Sequence, residues 1–158
     1  MKGLKYLLAI VLFSLISIGG TTMAQESAKA AFVNKDNVAV SGYDVVAYFT
    51  QNKAVRGQQS HELTHAGVKY WFSSDAHKQA FAKEPQKYLP AFGGWCAFAM
   101  AMNNGPVPSN PATFKLYNGR LYLFYNDFYQ GAPFNTIVPW NANEAELKKK
   151  ADEHWQAK

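Results

Sequence analysis

Along this chain the spacing of apolar positions changes between a strand-like and a helix-like period, and each change marks an element. Val68-Lys69-Tyr70-Trp71-Phe72 is rich in aromatic and β-branched residues, and Ser60 to His65 precedes it across Ala66-Gly67, so the two runs read as a hairpin. The period shifts at Ser73-Ser74. Ala76, Ala80 and Phe81 make a short apolar stripe that ends before Pro85, and the serines offer an N-cap, which predicts a helix over Ser74 to Lys83 followed by a turn over Pro85 to Leu89. Asn118-Gly119 between two aromatic and aliphatic runs is a type I′ hairpin signal. It predicts the pairs Tyr117–Arg120, Leu116–Leu121 and Phe114–Leu123, with the apolar side chains on one half-buried face.

The remaining pattern is coarser. Val38-Ala39-Val40 reads as a short strand ending at the Ser41-Gly42 turn, and Tyr43 to Thr50 as a helical turn with Asp44 near its start. Gly94 to Met102 reads as a short, mostly buried helix, and Gly105 to Pro111 as a loop stiffened by three prolines. Asn143 is placed to cap a final helix with Leu147, Ala151 and Trp155 along its buried side. Strands and helices mix without βαβ regularity. The expected class is α+β, with a small antiparallel sheet and hairpins packed against several short helices and a C-terminal helix.

The first residues carry an address. Lys2 and Lys5 form a positive n-region, Tyr6 to Ile18 an apolar core too short to span a bilayer, and Gly19 to Ala24 a small-residue exit that suits cleavage before Gln25. Residues 1–24 are thus expected to be a signal peptide, 25–36 a flexible leader and 37–158 the domain. The product would be an exported protein of a bacterial periplasm, not membrane-spanning once the signal is cleaved. Cleavage takes the formal charge from +5 to +3 by removing Lys2 and Lys5. Lys148, Lys149 and Lys150 stand beside Glu144, Glu146, Asp152 and Glu153, which describes a solvated helix face and no nucleic-acid footprint. Cys96 is the single cysteine, so no intramolecular disulfide can form and stability must come from packing of the abundant aromatics.

Three motifs occur in order: Gly42-Tyr43-Asp44-Val45-Val46-Ala47-Tyr48-Phe49, the strand-to-helix stretch from Gly67 to Tyr88, and Gly93-Gly94-Trp95-Cys96-Ala97. Together they resemble the YHS-domain family, in its exported single-domain branch, over roughly Val38 to Trp155. The resemblance implies metal binding only through a cysteine pair that follows the aromatic strand. Ser73 and His77 occupy those two positions here, so the thiolate pair is absent and His77 stands as a metal ligand or as a surface or capping residue.

Two further constellations carry chemistry. His61-Glu62-Leu63-Thr64-His65 matches H-E-x-x-H, the motif of a zinc hydrolase, but that chemistry needs a helix. On the strand expected here the two imidazoles would stand about 13 Å apart, too far to share one zinc. Cys96 and Met100 are four apart and share a helix face, offering thiolate and thioether to copper, or else filling the core. Tyr43 and Asp44, an acid beside aromatics at a helix start, would line a small-ligand or cofactor pocket or cap the helix. No nucleophile triad or phosphate loop is legible. The expectation is a non-enzymatic exported YHS-type domain binding copper or another soft metal ion through Cys96, Met100 and His77. The alternative is an apo module for a periplasmic protein or small ligand, in which Cys96 and Met100 are core and aromatic surface carries the binding.

Overall fold

The computed structural model describes residues 31–103 and 105–158. The expected signal peptide and the first part of the leader lie outside the described residues. Six α-helices and six strands follow in an α+β arrangement of three antiparallel hairpins.

Each hairpin turns on two residues with positive φ, the second a glycine, as a type I′ turn demands. β1 (Gln58–His65) and β2 (Val68–Phe72) turn at Ala66-Gly67, β3 (Asn110–Tyr117) and β4 (Arg120–Phe124) at Asn118-Gly119, and β5 (Asn126–Tyr129) and β6 (Ala132–Asn135) at Gln130-Gly131. The β3–β4 register is Tyr117–Arg120, Leu116–Leu121 and Phe114–Leu123, as the turn type predicts. Bulges between Gln58 and Glu62 and between Asn110 and Phe114 loosen the far ends of the first two hairpins.

β4 divides the interior. Leu121 and Leu123 face one core with Val40, Val46, Tyr48, Phe72 and Phe81, while Tyr122 and Phe124 face a second with Phe92, Met100 and Trp140. Alternation along one strand therefore feeds two apolar layers, where the sequence pattern suggested a single half-buried face. The backbone of β4 is paired on both edges: β3 lies on one side, and Pro90 and Cys96 bridge Leu121 and Leu123 in parallel on the other. To run beside β4 the chain coils tightly between those bridges, with Phe92, Gly93 and Gly94 all at positive φ.

Helices close the two layers. α1 (Val45–Gln51), α2 (Asp75–Lys83) and α3 (Pro85–Tyr88) cover the first, so the expected turn after Pro85 is one helical turn begun by proline at its first position. α4 (Ala97–Asn103), α5 (Ile137–Ala142) and α6 (Glu144–Gln156) cover the second. α4 starts three residues later than the periodicity suggested, because Gly94 to Cys96 are used in the coil and the bridge to β4. α6 buries Leu147 and Ala151 against α4, and its His154 ring nitrogen meets the Met100 carbonyl at 2.9 Å. Phe32 and Val33, inside the expected leader, are docked: the Phe32 amide donates to the Gly93 carbonyl, its ring packs on Trp95, and Val33 bridges Ala39.

Candidate functional site

Asp44 caps α1 and also ties that helix to the β2–α2 junction. Its Oδ1 accepts from the Val46 and Ala47 amides at 2.9 and 3.3 Å. Its Oδ2 accepts from the Ser73 amide at 2.8 Å, the Ser73 hydroxyl at 2.6 Å and His77 Nδ1 at 2.6 Å. A carboxylate with no exposed surface is tolerable only with such a shell, since every lone pair that left water finds a donor. His77 is held at Nδ1, and its Nε2 lies 3.4 Å from the exposed Thr50 hydroxyl.

Thr50, His77 and Asp44 thus follow the order of a nucleophile, base and orienting acid. The Thr50 proton, however, donates to the Val46 carbonyl one helical turn back, and the Ser73 proton is committed to Asp44. Neither hydroxyl is presented to a base. The cluster is built to fix the junction of α1, β2 and α2, and it leaves one imidazole nitrogen towards the surface. Thr50 joins it through a helix end that no pattern in the sequence marks.

The H-E-x-x-H residues lie on β1 and are extended, as expected. His61 meets the Asp75 carboxylate at 2.9 Å, Glu62 accepts the Trp71 indole N–H at 2.9 Å, and His65 packs edge-on against Phe81. Both imidazoles face α2, one at its first residue and one at its seventh. Glu62 is spent on its cross-strand neighbour.

Cys96 and Met100 are both fully buried. The Cys96 sulfur accepts from the Tyr125 amide at 3.2 Å and the Ala99 amide at 3.5 Å, and it lies 3.4 Å from the Thr136 hydroxyl. Thr136 donates its own proton to the Tyr125 carbonyl, so the thiol proton is the one left to bridge sulfur and Thr136. These bonds join α4 to the end of β4 and the start of α5. A copper ion bound here would have to reach a sulfur that has no exposed surface. His77 bonds Asp44, Cys96 bonds Tyr125 and lies beside Thr136, and Met100 packs in the second core, so no shared partner links the expected trio of Cys96, Met100 and His77 among the described residues. Among the described residues no group of three His, Cys, Asp or Glu side chains is placed to hold a metal ion.

Tyr43 and Asp44 were the expected pocket residues. The Arg56 guanidinium covers the Tyr43 ring at 4.3 Å and donates to the Ser41 carbonyl, closing that side. Tyr48, behind them, donates its hydroxyl to the Pro111 carbonyl, and burial pushes its phenol above the ordinary range, with Tyr43 and Asp44 adding to it.

The apolar surface lies elsewhere. Phe128 is 67% exposed, Tyr129 57% and Phe134 36%, all on the β5–β6 hairpin, and Met102 on α4 is 55% exposed. Phe98, one turn before Met102 on α4, packs edge-on against Phe134 at 6.3 Å, and Tyr129 packs on the same ring at 6.0 Å, so helix and hairpin present one aromatic ledge. Val138 is exposed four residues beyond Phe134. The sequence signal for this hairpin is weak, since Gln130-Gly131 is a poorer turn pair than Asn-Gly and Pro133 argues against a strand.

Among the described residues no helix is long and apolar enough to cross a membrane. No family model, curated protein or solved structure matches the chain.

Proposed function

We propose that this chain is an exported, non-enzymatic binding module of YHS type that works through the aromatic ledge of β5, β6 and α4. The observation that carries the reading is the exposure of Phe128, Tyr129 and Phe134 together on a hairpin with no buried strand residue. A two-stranded hairpin is marginal by itself, and large rings left in water at its surface are characteristic of a contact site. The engagement of Cys96, Glu62, Ser73 and Thr50 with internal partners supports the absence of catalysis. Export rests on the order of charged, apolar and small residues in the first 24 positions.

Binding of anilinonaphthalene sulfonate to dilute native protein tests this. Fluorescence should rise on mixing and fall at least about five-fold when Phe128→Asp and Phe134→Asp are combined, with the circular dichroism spectrum unchanged. Dye binding that is absent, or indifferent to both changes, contradicts the reading.

One observation favours a second reading. A histidine whose Nδ1–H is held by a carboxylate is the usual arrangement of a metal-ligating imidazole, and the second nitrogen of His77 meets only the exposed Thr50 hydroxyl, at 3.4 Å. A metal would then sit at His77 Nε2 and leave Cys96 untouched. Zinc or copper affinity that drops on His77→Gln supports it, and affinity that does not respond removes it.

A further inference from the structure

The aromatic ledge also carries information about what covers it. Between Asn126 and Asn135 the hairpin holds one charged side chain, Asp127, and no lysine or arginine, whereas α6 alone holds seven charged residues. Depletion of charge around exposed rings marks the core of a protein interface, and the lack of cations removes the attraction that would bring the hairpin to an anionic lipid surface. The three rings expose roughly 300 Å² and, with Met102 on the neighbouring α4, the patch reaches on the order of 400 Å².

That size can be set against what a stable dimer needs. A standard interface buries about 800 Å² on each side, and in homodimers about 65% of it is apolar, which is on the order of 500 Å². Resting on the proposed function, we propose that the occupant of the ledge is a second copy of this chain, related by a two-fold axis. An isologous contact sets a patch against itself, so it needs a surface that is apolar, self-complementary and nearly uncharged. The β5–β6 ledge meets the last requirement through its composition and the first through Phe128, Tyr129 and Phe134. Pro133 denies the edge of β6 a backbone donor and steers the contact towards side-chain packing over strand-to-strand extension.

Sedimentation equilibrium of the protein as recovered from the expressing cell, from about 1 to about 100 µM, tests this. The weight-average mass should rise towards twice that of the monomer. Phe128→Asp should hold it at the monomer value across the range, and Lys149→Ala, on the exposed face of α6, should change nothing. Should Phe134→Asp lower the melting temperature, Phe128→Asp alone, at the most exposed ring, keeps the test sound. A wild-type protein that is monomeric throughout yet still binds the dye at the ledge overturns the dimer while leaving the binding module intact. A dimer that survives Phe128→Asp with unchanged mass overturns it by placing the contact elsewhere. Flotation of the wild type, but not the variant, with phosphatidylcholine vesicles overturns it in favour of a lipid surface.

Discussion

His77 Nδ1 lies 2.6 Å from Asp44 Oδ2, and that carboxylate has no exposed surface. All five contacts to Asp44 come from donors, two to one oxygen and three to the other. Asn at this position would turn an NH₂ group against donors on whichever side it faced. Asp44→Asn is therefore expected to lower unfolding free energy by about 3 kcal/mol, measured by urea denaturation, without altering the β5–β6 surface. A loss below about 0.5 kcal/mol would show that the shell contributes little.

Tyr122 presents the reverse case. Its hydroxyl is buried between the two sheets of contacts around Phe92 and Trp140 and finds no hydrogen-bond partner among the described residues. Removing that hydroxyl relieves a buried polar group that folding leaves unsatisfied. Tyr122→Phe should leave the melting temperature unchanged or raise it by a few degrees in a thermal scan. A clear drop would mean that the hydroxyl is bonded.

Burial pushes the Tyr70 phenol from its ordinary 10.0 up to about 12. In the unfolded chain the phenol ionises near 10, whereas the folded state holds its proton to about 12, so folding is favoured fully below pH 10 and loses that contribution as pH rises through the folded value. Stability measured at successive pH values should fall above pH 10, and Tyr70→Phe should make the fall between 10 and 12 shallower. Identical slopes for the two proteins would contradict the shift.

The legible parts of this fold are those set by local chemistry. Asn118-Gly119 fixes both turn geometry and strand register, and Ser74 bonds the His77 amide as an N-cap, so both were readable from a few adjacent residues. Asp44 is readable as a cap for the same reason. Its bond to His77, 33 positions away, is not, because it depends on how α1 meets the β2–α2 junction. Thr136 is equally invisible as a partner of Cys96 at a separation of 40. The two-sided burial of β4 escaped for another reason: Leu121-Tyr122-Leu123-Phe124 is a continuous apolar run, and only the packing of Leu121 and Leu123 into one core and of Tyr122 and Phe124 into the other shows that both faces are covered. The β5–β6 ledge was hidden because Gln130-Gly131 and Pro133 weaken the hairpin signal.

The central claim is that Cys96 and Met100 belong to the interior and that binding belongs to the outer aromatic surface. Titration of the reduced protein with Cu(I) against a competing chelator tests it most directly. The account predicts that wild-type, Cys96→Ser and Met100→Leu proteins compete equally for the ion, with any retained copper lost on His77→Gln. Tight one-to-one binding that Cys96→Ser and Met100→Leu each weaken by tenfold or more, about 1.4 kcal/mol, would contradict it and return the function to the sulfur pair.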